Sequence, residues 1–227
     1  MVLYLYVVAP FAAFRTFSTG SYRPTAWFIT HSAAYGLLLN IAGIEMRYND
    51  GKSPMTLIKK ELPIVKIALG ALEMPQQQTI YQQLHNYPVG STNKEKLERT
   101  KYNKNNIAPV RRAFLSSLNA YICMKDNYEL EQSILEGLLG NSPRTYGLPF
   151  LGDNNFLPDK FEAVDVLQPA IWFVKLNPKS MDINDRLERL TTMIDRANMA
   201  NTSSDIFSPT KIPSIDIPEE AWVEIKY

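Results

Sequence analysis

Residues 2–45 read VLYLYVVAPFAAFRTFSTGSYRPTAWFITHSAAYGLLLNIAGIE, and they decide the fold. Val2–Val8 is a short run of Val, Leu and Tyr cut off by Pro10, which reads as a central strand. Ala9–Trp27 follows as a long loop carrying Arg15, Gly20, Arg23 and Pro24. A helix comes next. Thr30 or Ser32 caps it, Ala34, Leu37, Leu38 and Ile41 form one apolar stripe, and Gly43 ends it. Trp27 and Phe28 are expected in the core.

Further along, Glu45–Asn49 and Pro63–Leu72 look extended. Gln76–Asn106 changes character: it is polar, Gln/Asn-rich and basic, with scattered Tyr. Arg111–Lys125 returns to an apolar, strand-like pattern, and Leu130, Ile134, Leu135 and Leu138 mark a second helix ended at Gly140. Ala170–Leu176 reads as a strand, Asp185–Ala200 as a helix with Leu187, Leu190, Ile194 and Ala197 on one side, and Asn201–Pro218 as a loop. This order fits an α+β, ferredoxin-like β-α-β-β-α-β domain spanning 1–227. Its second and third strands are joined by a thumb insertion, 76–106, and 201–227 forms a C-terminal extension. Such a sheet is also the platform of many RNA-binding modules.

Composition narrows the chemistry. The chain has 227 residues, 45% of them apolar, and a net charge of only +1. That near-neutral total conceals a basic segment, Lys94–Arg112 with a local balance of +5, and an acidic one, Asp126–Asp165 at −6. A basic arm bearing Tyr suits an RNA backbone, because cations displace condensed counterions and aromatic rings stack on bases. Cys123 is the one cysteine, so no intrachain disulfide forms, and a reducing cytoplasm is the expected compartment. The apolar start lacks a basic leader region and is read as a strand, and no apolar run is long enough to span a membrane. No zinc spacing and no phosphate-binding glycine loop occurs, so neither metal nor cofactor is expected.

The block from Ala9 to Glu45 resembles the N-terminal signature of the fifth family of CRISPR-associated (Cas) proteins. The matching pieces are Phe11, Phe14 and Arg15; then Arg23, Pro24 and Thr25; then Ser32, Gly36, Leu37, Leu38 and Gly43. A second echo is YGLPFLGDNNF (Tyr146–Phe156), through Pro149, Leu151 and Gly152. The spelling is closest to a type I-B-like variant, including those carried by guide-RNA-directed transposons. His31 departs from the pattern, standing where many relatives have Pro.

The resemblance implies a RAMP-superfamily protein that binds the repeat-derived 5′ handle of the crRNA inside a Cascade effector complex. It implies a cap on the backbone filament, contacts to the backbone and large subunits, target DNA met only indirectly, and no catalysis. Arg15, Arg23, Thr25, His31 and Ser32 are then the expected handle cradle, because guanidinium groups suit phosphates and base edges and a helix N-terminus favours anions. Lys94, Lys96, Arg99, Lys101, Lys104, Arg111 and Arg112 are the expected backbone contacts, and Tyr81, Tyr87 and Tyr102 the stacking residues. The alternative is a crRNA-processing endoribonuclease of the same superfamily. Such chemistry needs a base and a proton donor at the ribose. The chain offers only His31 and His85, with no adjacent lysine to complete the group.

Overall fold

In the computed structural model, residues 2–16, 22–88, 98–99, 101, 105–144, 147–176 and 186–227 are described. Two antiparallel strands run through the centre: β1 (Val2–Ala12) and the long β7 (Asn105–Lys125), paired from Val2↔Lys125 to Ala12↔Leu115. Leu3, Leu5, Val7 and Ala9 alternate into the core while their neighbours face the other side, the period-two pattern of a half-buried strand. Pro10 does not end β1. It has no N–H to give, and the ladder skips that step, where Ser117 takes φ +58.

Helix α1 (His31–Ile41) follows, capped by the Thr30 hydroxyl, which accepts from the Ala33 N–H at 3.3 Å; Gly43, at φ +77, turns the chain out. Strand β5 (Val65–Glu73) pairs with the free edge of β7. Helix α2 (Tyr128–Leu138) is capped by Asn127 and closed by Gly140 at φ +82. It leads to β8 (Lys160–Ala163), which pairs with the other edge of β1. The lateral order β5-β7-β1-β8, with α1 linking β1 to β5 and α2 linking β7 to β8, is the ferredoxin-like arrangement. The helices touch closely: a Cβ on Gly137 would lie 1.8 Å from the Ile41 carbonyl oxygen, so only glycine fits there. Gly36 has looser surroundings, since a Cβ there would lie 3.6 Å from the Met46 sulfur.

The sheet is larger than that motif. The outer edge of β5 is shared by β12 (Val223–Ile225) at its start and β9 (Ile171–Lys175) at its end. Beyond β9 lie β11 (Ser203–Pro209) and β10 (Glu188–Met193). Two expectations change here. The helix expected over 185–200 is, over the described residues 186–200, a strand followed by turns. Glu188, Leu190 and Thr192 alternate inward, and the Asp195 carboxylate captures the N–H groups of Ala197 and Asn198, a local bond that competes with helix continuation. The segment 201–227, expected as loop and extension, supplies β11 and β12 to the main sheet. A small outlying pair, β3 (Arg47–Tyr48) with β4 (Leu57–Ile58), accounts for the extended stretch after α1.

Strand β6 (Gln76–Pro88) continues the line of β5 and pairs with β7 from Gln76↔Ser116 out to Pro88↔Asn105. The insertion expected at 76–106 starts where β6 starts, at Gln76, and its other end falls inside β7. β6 and the first half of β7 form a ribbon projecting from the sheet; Ile80, Tyr81 and Ile107 on it are exposed, while Val110, Ala113 and Leu115 at its root are buried. The two-residue β2 (Tyr22–Arg23) lies parallel against β7 at Arg111 and Arg112.

Candidate nucleic-acid interface

The root of this ribbon is where charge gathers. Ala26 N–H donates to the Phe14 carbonyl at 2.8 Å, Arg15 and Thr25 form a bridge, and the Thr25 hydroxyl accepts from the Phe14 N–H at 2.9 Å. The loop after β1 is thus folded back as a short ladder that fixes Arg15 and Arg23. β2 then places Arg23 level with Arg112. Arg15, Arg23 and Arg112, with Asp153, line a cavity of about 380 Å³. Arg15, Arg23 and Arg111 are exposed; the Arg111 guanidinium lies 5.9 Å from the Tyr22 ring centre.

Arg112 is held differently. Its guanidinium donates to the Asp153 carboxylate, and both side chains are nearly buried, 13% and 12% exposed. It also lies 5.1 Å from the Phe156 ring centre. Burial pushes the Asp153 carboxyl up. The Asn155 N–H, the Arg112 hydrogen bond and the charges of Arg112 and Arg15 outweigh that, and the net direction is below the ordinary carboxylate range. Asp153 is therefore an anion that orients Arg112.

The wall bearing Asp153 is the second matched element. Ala13 N–H donates to the Leu151 carbonyl at 3.1 Å, Leu151 is buried, and Gly152 sits at φ +78 with its would-be Cβ only 2.0 Å from the Ala13 carbonyl oxygen. No other residue fits that contact without moving backbone. The two stretches that carry the family resemblance meet at this point, through Ala13 and Gly152, 139 positions apart in sequence. Beside it, Phe11 packs edge-on to Phe114 at 5.5 Å and lies 6.2 Å from Phe156, leaving Phe11 45% exposed.

Not every expected cradle residue reaches the surface. Thr25 is 5% exposed and works inside the loop ladder; Ser32 is 7% exposed, with its hydroxyl 3.2 Å from that of Thr30. His31 is fully buried and stacks on Phe207 at 4.7 Å, with neither ring nitrogen hydrogen-bonded among the described residues. Burial, with the nearby Lys175 charge, pushes its pKa down to about 3, so the ring is neutral at pH 7. His31 and Thr25 thus fold inward and build the cradle without lining it, whereas Ser32 lines an adjoining pocket that shares Arg15 and Asp153. Trp27, expected in the core, is 39% exposed beneath the Arg186 guanidinium, 4.3 Å from its ring centre; Phe28 is in the core as expected.

On the ribbon, Tyr81 is 75% exposed, and Arg99 and Lys101 are exposed. Tyr87 lies on β6, in register with Asn106. Lys94, Lys96, Tyr102 and Lys104 lie outside the described residues. Sequence reading missed Asp153, Phe114 and Phe156. The GDNN turn (Gly152–Asn155) carried a signal for the first, since Asp before Asn in a tight turn anchors backbone N–H groups. Among the described residues, no group of three His, Cys, Asp or Glu could hold a metal ion, and no helix is long and apolar enough to cross a membrane.

A family model described as CRISPR-associated protein (Cas_Cas5) matches residues 2–133. Among solved structures, the chain is similar to a chain of a "CRISPR RNA-guided surveillance complex", with TM-score 0.60 and 10% identity over 96% of this chain and 93% of that one. It is also similar to a structure described as "Crystal structure of Cas protein", with TM-score 0.52 and 13% identity over 96% and 98% of the two chains. At those identities the likeness is one of fold. No curated protein matches the sequence.

Proposed function

Because the chain belongs to the CRISPR-associated Cas5 family, we propose that it is the non-catalytic subunit of a type I Cascade complex that grips the 5′ handle of the guide RNA and caps the backbone filament. The observation that carries this reading is the convergence of Arg15, Arg23 and Arg112 on one cavity at the ribbon root, with Arg111 on the adjacent step. Three guanidinium groups against one carboxylate leave a positive site with planar, multi-donor groups. Such groups take phosphodiester oxygens and guanine edges. Phe11 and Phe156 border the site and offer apolar faces to an unstacked base. The ribbon extends the contact along the strand with Tyr81 and Tyr87, and Tyr102, Lys94, Lys96, Arg99, Lys101 and Lys104, from the sequence between Pro88 and Asn105, are the further contacts of this proposal. The adjoining subunits and the use of the complex, whether in defence or in guided transposition, follow from the family reading.

The processing-nuclease alternative needs a base that reaches the ribose 2′-OH. His31 is sealed under Phe207, and His85 stands out on the ribbon, so neither joins the arginine cavity. Two assays test the reading. Arg23→Ala is expected to weaken binding of repeat-derived handle RNA by about 1.5–3 kcal/mol. Arg144→Ala, on an exposed acidic stretch, is expected to leave it unchanged. Equal losses in the two variants would remove the cavity from the account. Cleavage of repeat RNA by the purified chain in EDTA would favour the nuclease.

A further inference from the structure

The second face of the sheet carries a surface that the RNA reading does not use. Two loops cover it, 164–170 and 210–222. They are joined by a pair of hydrogen bonds between Ala170 and Ser214, at 3.0 and 2.9 Å. They are pinned to the sheet by Trp172, whose indole N–H donates to the Ser214 carbonyl at 2.9 Å, and by the Val164 N–H, which donates to Tyr4. Leu167 and Ile217 pack inward against Ala68, Tyr121, Cys123 and Trp172. Their neighbours turn the other way: Val166 is 79% exposed, Ile212 77% and Ile215 57%.

Large β-branched side chains left this open, on two loops joined at Ala170 and Ser214, form an apolar surface with no cover among the described residues. Pro169, Pro213 and Pro218 punctuate the same loops and limit their backbone freedom, so little ordering entropy is lost when something docks. The rim is acidic. Within the two segments Asp165, Asp216, Glu219 and Glu220 stand against Lys211, and Lys125 of β7 pairs with Glu219 at 3.2 Å, which leaves the loops with a net negative balance. A polyanion is repelled here, in contrast to the arginine cavity.

We propose that this face, with Val166, Ile212 and Ile215 at its centre, is a protein-docking surface for a lysine- or arginine-bearing segment of a neighbouring subunit. The apolar centre supplies the contact energy and the carboxylate rim selects a basic partner and excludes RNA. The proposal rests on the reading of the chain as part of a guide-RNA complex.

The test uses the assembled complex purified with its guide, and the isolated chain beside it. Zero-length carbodiimide crosslinking should join Asp165, Asp216 or Glu220 to lysines of another subunit. The variant Ile212→Lys with Ile215→Lys should bind handle RNA like the parent, since both positions are exposed and outside the cavity, yet enter the complex at least ten-fold less well. Wild-type incorporation of that variant overturns the proposal. So does protection of the two loops by guide RNA alone, or crosslinks found only between copies of this chain. If the parent chain binds handle RNA but forms no complex, the docking surface fails while RNA binding stands. If it binds no handle RNA, the functional reading itself fails.

Discussion

One strand, β7, passes through two environments. Over Leu118–Met124 it lies between β1 and β5, and nearly every side chain on both faces is buried. Nearer its start it pairs with β6 and briefly with β2, and residues such as Ile107 and Arg111 are exposed. The composition follows the surroundings: LNAYICM in the first region, and QQQTIYQQLHNYP on the partner strand of the second. Where the strand is sandwiched, apolar burial at about 25 cal/mol per Å² sets the choice of residue. Where it is a bare ribbon, the fold asks only for β-pairing, and exposed side chains such as Tyr81 and Arg111 face solvent. A two-stranded ribbon is marginal alone. Its root therefore needs an anchor, and the Ala13–Gly152 contact with the Arg112–Asp153 pair supplies one.

The anchor is where the contrast breaks most easily. Gly152→Ala places a Cβ against the Ala13 carbonyl and strains a positive φ, so it should cost about 4 kcal/mol in denaturant unfolding. A ribbon substitution such as Tyr81→Ala should cost less than about 0.5 kcal/mol. Similar losses at both positions would abolish the distinction between root and ribbon.

Asp153→Ala removes one member of a nearly buried pair and should cost about 2–3 kcal/mol at pH 7. Because the Asp153 carboxyl is held below its ordinary range, its contribution is present above about pH 4 and lost as pH falls through the lower folded value. The gap between parent and variant should therefore narrow in acid. Urea titrations at several pH values read this directly, and a gap that widens in acid contradicts it.

His31 gives the next effect. Its folded pKa of about 3 lies below the ordinary 6.5, so between those values the unfolded chain binds a proton that the folded chain refuses. Stability falls there by about 1.4 kcal/mol per pH unit from this group, and is untouched above pH 7. His31→Leu should match the parent at pH 7 and exceed it by about 2 kcal/mol at pH 5. Parallel pH profiles would mean that the ring is reached by water.

Both helices are legible in the sequence, because each joins an apolar stripe to a side-chain cap and a closing glycine, Gly43 or Gly140. β10 is hidden because Leu187, Leu190 and Ile194 fall at helical spacing by coincidence, while the residues that face inward include the polar Glu188 and Thr192. The continuity of β6 with β5 is hidden as well. A ribbon exposed on both faces shows no apolar period to read. Of the site, Arg15, Arg23 and Arg112 stand out as residues, but their meeting does not. Asp153 lies 41 positions from Arg112, and no local pattern encodes that pairing. The place of His31 at the helix start is legible too. Its inward direction depends on Phe207, far along the chain on β11.

The central claim is that the root belongs to the fold and the outer ribbon to the guide. Replacing residues 83–109 by an Asn-Gly turn between Gln82 and Val110, a pair in register, shortens the ribbon and leaves the root intact. The measurement is the affinity for handle RNA as a function of salt. Lys94, Lys96, Arg99, Lys101 and Lys104 leave with the ribbon. If four of them touch phosphate, at about 0.7 each the log–log slope flattens by about 2.8. The account predicts a chain that unfolds cooperatively like the parent, binds guide more weakly and shows that flatter slope. A shortened chain with unchanged affinity and slope would contradict it.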